Sequence, residues 1–184
     1  MKARDAAPAA ASATAFIALG ANLGEVRDSL DAAFEAIARL PGTRLSAASS
    51  LYRSAPVDAR GPDFLNAVVR VRTRLAPLAL LDALQAIEHR LGRERPYRNA
   101  PRTLDLDLLL YGDAVSADPR LTIPHPRLAR RAFVLLPLAE IDPGLQIPGH
   151  GSVGALLPGV ADQPIVRLAP VLQRAGPARS ATSA

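Results

Sequence analysis

This sequence predicts an α+β fold: an antiparallel sheet with helices on one face, followed by C-terminal additions. Apolar residues alternate with period two in several short segments bounded by turn residues, which is the mark of strands. Two other segments repeat apolar residues every three to four positions, which is the mark of helices. Together they run in the order β-α-β-β-α-β, and 184 residues are enough for one domain around a single core.

Thr14 to Gly20 is a short apolar strand ending in a turn. From about Gly24 to Leu40, Val26, Leu30, Phe34 and Ile37 form one helical stripe, with Asn22 as a nearby cap and Pro41-Gly42 as the stop. Residues 43–54 suggest a second strand, and Ala55 to Pro62, with Pro56 and Gly61, a loop. Between Phe64 and Leu75, Val69, Val71 and Thr73 alternate with Arg70, Arg72 and Arg74, which predicts a half-exposed strand with a solvated arginine face. Pro77 opens a second helix at its favoured first turn. Leu80, Leu84, Ile87 and Leu91 are its buried stripe, and Gly92 its end. An arginine-rich loop and another strand follow. After Thr122-Ile123-Pro124-His125-Pro126 a short helical stretch is expected through Leu138, and beyond Asp142 the patterns weaken. This order matches the split β-α-β, or ferredoxin-like, plan. Residues 1–13 and 170–184 are expected to be disordered tails flanking a single domain at 14–169.

Composition removes several classes of function. The chain has no cysteine, so disulfides, thiol catalysis and cysteine-ligated zinc are excluded. His89, His125 and His150 do not form a zinc-type cluster. No apolar run approaches the roughly 20 residues needed to span a bilayer, so no membrane partner and a cytoplasmic location are expected. The net charge of +5 raises nucleic acid as a partner, yet Lys2 is the only lysine. A phosphate-binding loop of the Gly-x-x-x-x-Gly-Lys-Ser/Thr type is therefore excluded. Gly20-Ala21-Asn22-Leu23-Gly24 has the glycines of a tight turn without that spacing. Any phosphate must be held by arginine forks and metal ions.

Arg102 to Gly112 is the most informative run. Read as a strand, it puts Asp105 and Asp107 on one face and Leu104, Leu106 and Leu108 on the other. Adjacent carboxylates beside a buried strand repel each other unless a cation compensates them. Mg²⁺ suits oxygen ligands of this kind, alongside substrate phosphates. A lone Asp-x-Asp also fits a solvated strand face. However, the adjoining Leu108-Leu109-Leu110 argues for a strand buried on both faces at that end, which favours the metal. Arg90, Arg93, Arg95, Arg98 and Arg102 lie just upstream as an anion-binding complement. The pairing points to metal-assisted chemistry on a polyphosphate.

Six motifs in order resemble the 6-hydroxymethyl-7,8-dihydropterin pyrophosphokinase family, from about Phe16 to Pro143. They are Ala18-Leu19-Gly20-Ala21-Asn22-Leu23-Gly24, Ser49-Ser50-Leu51-Tyr52-Arg53-Ser54, Phe64-Leu65-Asn66-Ala67, Gly92-Arg93, Pro101-Arg102-Thr103-Leu104-Asp105-Leu106-Asp107 and Leu121-Thr122-Ile123-Pro124-His125-Pro126. The resemblance implies transfer of diphosphate from ATP to the pterin hydroxymethyl group, with release of AMP, in folate biosynthesis. It implies two Mg²⁺ ions between the triphosphate and Asp105 and Asp107. Arg93 and Arg102 would be catalytic arginines of a closing loop. By the same resemblance, Phe64 and Phe133 stack on the pterin, Asn66 reads its edge, and Ser54 and Val57 line the site. Gln85, Glu88, Arg95, Leu108, Arg120, Thr122, His125 and Arg131 match the ATP site. The chain departs from many relatives at Asn99-Ala100, where they carry tryptophan and glycine, and at Pro126, where some have tyrosine. The competing functions are a nucleic-acid-binding sheet and a non-catalytic nucleotide sensor. Carboxylates on the sheet oppose the first, and intact aspartates and arginines oppose the second. A monomer without nucleic acid is expected.

Overall fold

The computed structural model describes residues 11–56, 61–91 and 104–170. Strand β1 (Ala13–Ala21) leads to helix α1 (Val26–Ala38), then β2 (Thr43–Ala48), β3 (Ser50–Ser54) and β4 (Phe64–Thr73). Helix α2 (Pro77–Arg90) and strand β5 (Asp105–Tyr111) follow, giving β-α-β-β-β-α-β, one strand more than the expected β-α-β-β-α-β. With β10 (Ile165–Pro170), the main sheet has the order β10-β3-β4-β1-β5, with β2 also on β4, and every pairing is antiparallel.

Helices α1 and α2 cover one face. Leu30, Phe34 and Ile37 of α1 and Leu80, Leu84 and Ile87 of α2 pack against Ile17, Leu19, Val69, Val71, Leu106 and Leu108. The expectation of helices on one face alone is corrected by the other side of the sheet. Short β6 (Ser116–Asp118) and β7 (Leu121–Ile123) precede a 3-10 turn at Leu128–Arg130 and helix α3 (Ala132–Ile141). Leu128, Val134, Leu135 and Leu138 then bury Phe16, Val68, Leu109 and Leu110 on the second face. Helix α3 is apolar nearly all round and contains Pro137, so it lacks the one-sided stripe that marks a surface helix.

Strand β5 explains the run Leu108-Leu109-Leu110. The β1–β5 register slips between Phe16 and Ile17: Ile17 faces Leu108, whereas Phe16 faces Leu110. Leu109 is the extra residue of a bulge. Leu108 therefore enters the core under α1 and α2, and Leu109 and Leu110 both enter the other one.

The single strand expected at 43–54 is two. At Ser49 the N–H donates to Val68 O at 2.9 Å, and Ser49 Oγ accepts from Val68 N at 3.0 Å. A side chain here replaces a ladder bond, so β2 pairs with the far half of β4 and β3 with its near half. Asn22, expected as a cap, is buried, and its Nδ2 donates to Pro62 O at 3.2 Å. It ties the turn after β1 to the loop before β4, and α1 begins at Glu25 without a side-chain cap. Gly24, not Gly20, supplies the left-handed turn residue, at φ +67°.

After α3 come the hairpin β8 (Gln146–Ile147) and β9 (Gly151–Ser152), then α4 (Val153–Leu156) and a 3-10 turn at Leu157–Val160. Strand β10 (Ile165–Pro170) returns to the main sheet at the edge of β3. Pro170, assigned to a tail, ends this strand; the rest of 171–184 and residues 1–10 lie outside the described residues. The arginines of β4 are less uniformly solvated than expected. Arg70 and Arg72, with Arg44, line a cleft of about 540 Å³ at the end of the sheet away from Asp105 and Asp107. Among the described residues no helix is long and apolar enough to cross a membrane.

Candidate active site

The antiparallel register assembles the site. Asp105 lies opposite Gly20, Gly20 opposite Asn66, and Asn66 opposite Tyr52. Directly opposed residues project from the same face of a sheet. The same holds one step along for Asp107, Ala18 and Val68. Both aspartates are therefore on the α3 side, half-buried, while Leu104, Leu106 and Leu108 are buried on the other. This is the alternation expected of the run.

Gly20 leaves the floor open between Asp105 and Asn66, whose backbones sit about 10 Å apart at the usual strand spacing. A Cβ on Gly20 would lie 3.3 Å from Asn66 Oδ1. Asn66 is buried, and its Nδ2 donates to Ser54 Oγ at 3.0 Å and to Tyr52 O at 3.3 Å. These bonds fix the amide so that Oδ1 faces the Gly20 gap as an acceptor. Phe64, two residues earlier on β4, lies on the same face and is half-buried. Phe133, also half-buried, lies in the first turn of α3, and the Arg131 guanidinium sits 5.2 Å from the centre of its ring.

His125, in the segment after β7, lies within electrostatic range of Asp107 and Asp105. Its N–H donates to Leu109 O at 2.9 Å, and its Nδ1 accepts from Arg127 N at 3.3 Å, leaving Nε2 as the donor. Burial lowers its pKa below the usual imidazole value. Asp107 opposes that shift, while Arg131 and Arg127 add to it. The ring is thus neutral at neutral pH.

The remaining nucleotide-site candidates divide. Glu88 is almost fully buried, and its Oε1 accepts from Leu106 N at 2.7 Å, so one oxygen is committed to strand β5. Gln85, three residues away, is exposed. Arg120 pairs with Asp82, one turn before Gln85, and exposed Thr122 follows on β7. The side chain of Leu108 is buried under the helices, away from the aspartates. Because Leu106 N points out of the sheet edge towards Glu88, the strand alternation turns the Leu108 peptide to that same edge. Gln85, Arg120 and Thr122 thus border the outer edge of β5, whereas His125 and Arg131 lie nearer Asp107. Val57, Arg93, Arg95 and Arg102 lie outside the described residues.

Two half-buried carboxylates form a hard oxygen donor set. Among the described residues no third histidine or carboxylate joins them to close a protein-only metal cage. That set fits Mg²⁺, which takes one or two carboxylates and fills its octahedron with phosphates and water.

A family model described as 7,8-dihydro-6-hydroxymethylpterin-pyrophosphokinase (HPPK) matches residues 16–143. The chain belongs to this family. The 2-amino-4-hydroxy-6-hydroxymethyldihydropteridine pyrophosphokinase of Pseudomonas aeruginosa is 49% identical over 83% of this chain and 95% of its own length. The protein of the same name from Haemophilus influenzae is 45% identical over 85% and 99%. The folic acid synthesis protein fol1 of Schizosaccharomyces pombe is 38% identical over 73% of this chain, which spans 18% of that protein. The Plasmodium falciparum HPPK-DHPS wild-type structure with pteroate aligns at a TM-score of 0.64 and 15% identity. It covers 79% of this chain, which spans 44% of that one, and the likeness is one of fold.

Within this candidate site, the sequence alone does not reveal Gly20 as the floor or the bonds that orient Asn66. The place of Gly20 in Gly20-Ala21-Asn22-Leu23-Gly24 suggests only a turn residue. Its role depends on pairing with two distant strands, which no local pattern encodes.

Proposed function

We propose that this chain transfers diphosphate from ATP to the hydroxymethyl group of 6-hydroxymethyl-7,8-dihydropterin, releasing AMP, as a step of folate biosynthesis. The observation that carries this reading is the cross-strand row in which Asp105 and Asn66 flank Gly20 on one face. It sets a carboxylate and an amide on either side of an open floor, which suits a metal on one side and a ring edge on the other. The strand order is read as ferredoxin-like.

Asp105 and Asp107 would hold Mg²⁺, with two ions expected. When bound, magnesium neutralises the triphosphate and lowers the pKa of a hydroxyl beside it. The other contributions come from the chain itself. Asn66 Oδ1 accepts a hydrogen bond from the N–H edge of the pterin, and Phe64 and Phe133 offer faces to its flat ring. Neutral His125 donates from Nε2 to a phosphate oxygen without carrying a charge that competes for Asp107. Arg131, with Arg93 and Arg102 from outside the described residues, supplies guanidinium forks to the phosphates. In the reaction the hydroxymethyl oxygen bonds to the β-phosphorus, the bond from that phosphorus to the α-phosphate oxygen breaks, and AMP departs as the hydroxyl proton is lost. Alignment of the reactants is the chief catalytic device.

The test is AMP formation from ATP with and without the reduced hydroxymethylpterin, in magnesium and in chelator. AMP that needs both pterin and magnesium is expected. Equal AMP release with and without pterin would refute the assignment.

A further inference from the structure

The row that builds the site does not stop at Asn66. Tyr52 on β3 lies opposite Asn66, and Arg167 on β10 lies opposite Tyr52. Five residues, Asp105, Gly20, Asn66, Tyr52 and Arg167, thus share one face across five strands. Above the outer part of this row sits Glu140, in the last turn of α3. Its carboxylate accepts four hydrogen bonds: from Ser50 N at 3.1 Å, Ser50 Oγ at 2.8 Å, Tyr52 Oη at 2.8 Å and Arg167 Nη2 at 2.7 Å. Arg167 Nε also donates to Ser50 Oγ at 3.1 Å. Every lone pair of the carboxylate is engaged, the condition under which a charged group can sit between helix and sheet.

This cluster stands directly behind two of the groups assigned to the pterin. Asn66 takes its orientation from Tyr52 O and Ser54 Oγ, both on β3, so its Oδ1 follows any shift of that strand. Strand β3 is held laterally by β10, where Ile165 faces Ser54, and from above by Glu140. Glu140 is also seven residues from Phe133, two helical turns along the same side of α3. Clamping Glu140 to β3 therefore sets the height of Phe133 over the sheet. Burial raises the Tyr52 pKa, and the Glu140 bond and charge raise it further. Burial also raises that of Glu140, but the bonds from Tyr52 and Ser50 and the Arg167 charge outweigh it and hold the carboxyl below its ordinary value. The clamp is thus a neutral phenol on an ionised carboxylate at neutral pH.

We propose that Tyr52, Glu140 and Arg167 are positioning residues for the pterin site, which makes the C-terminal strand β10 a working part of substrate recognition. Arg167 lies beyond residues 16–143, the span matched by the family. The inference rests on the pterin reading above.

The test compares Tyr52→Phe and Arg167→Ala with the wild-type chain. Tyr52→Phe removes only a hydroxyl from a buried ring, and the Arg167 side chain is 60% exposed, so both variants are expected to fold. Each is expected to raise the pterin KM about tenfold, the scale of one lost charge-assisted hydrogen bond. The KM for ATP should stay within about twofold, since Gln85, Arg120 and Thr122 border β5, at the opposite end of the row from Arg167. Arg167→Lys should recover part of the loss. An unchanged pterin KM in both variants would overturn the inference while leaving the enzyme assignment intact. So would pterin and ATP KM rising together with a lowered melting temperature. A wild-type chain that makes no pterin-dependent AMP would overturn both.

Discussion

Gly20 has no side chain, and its two cross-strand neighbours are Asp105 and Asn66, so the open floor of the site is a property of one residue. No left-handed backbone angle is required there; the requirement is space. A methyl group would approach Asn66 Oδ1 at 3.3 Å, tighter than ordinary contact, and Asn66 is held by two hydrogen bonds from its amide nitrogen. Gly20→Ala is therefore expected to raise the pterin KM several-fold, roughly the effect of displacing one oriented contact by a few tenths of an ångström. The melting temperature should change little. Steady-state kinetics with a thermal melt decides it, and an unaltered pterin KM would remove the floor from the account. At this scale the two aspartates were legible because alternation along a strand is local. The setting of Asn66 was not, because its partners come from β3.

Helix α2 and strand β5 are joined by a buried carboxylate. Glu88 falls on the inward side of α2 beside Leu84 and Ile87, and its acceptance of the Leu106 N–H fixes the strand that carries Asp105 and Asp107. Removing it leaves that N–H without its acceptor in a dry interior. Glu88→Ala should cost about 2 kcal/mol. For a chain of this length that lowers the melting temperature by about 4–8 °C. Glu88→Gln keeps an acceptor and should lose much less. A Glu88→Ala protein that melts like the wild type would show that the bond contributes nothing. Helices α1 and α2 were readable because their stripes repeat over three or more turns. The apolar α3 has no polar side to give a period, and β10 is short, with Val166 and Leu168 partly exposed. The break at Ser49 escaped notice because a hydroxyl substituting for a backbone group leaves the apolar pattern of 43–54 unchanged.

Across the whole molecule the sheet is a wall with two differently used sides. The side under α1 and α2 is a continuous core. The α3 side is apolar at the bulge of β5 and polar along the row from Asp105 to Arg167. The bulge permits this change, because it turns Leu109 and Leu110 into the second core only two residues beyond Asp107. The composition led to the expectation of one domain and of phosphate held without lysine. It could not anticipate that β10 would pair with β3 beside the proposed pterin site, since that pairing joins residues over a hundred positions apart. The central claim is that Asp105 and Asp107 hold magnesium against a polyphosphate. A crystal structure with Mg²⁺ and a non-hydrolysable ATP analogue tests it most directly. Both carboxylates should ligate magnesium at about 2.0–2.1 Å, with phosphate oxygens completing the shell. Carboxylates turned away from the nucleotide, with the ions held elsewhere, would contradict it.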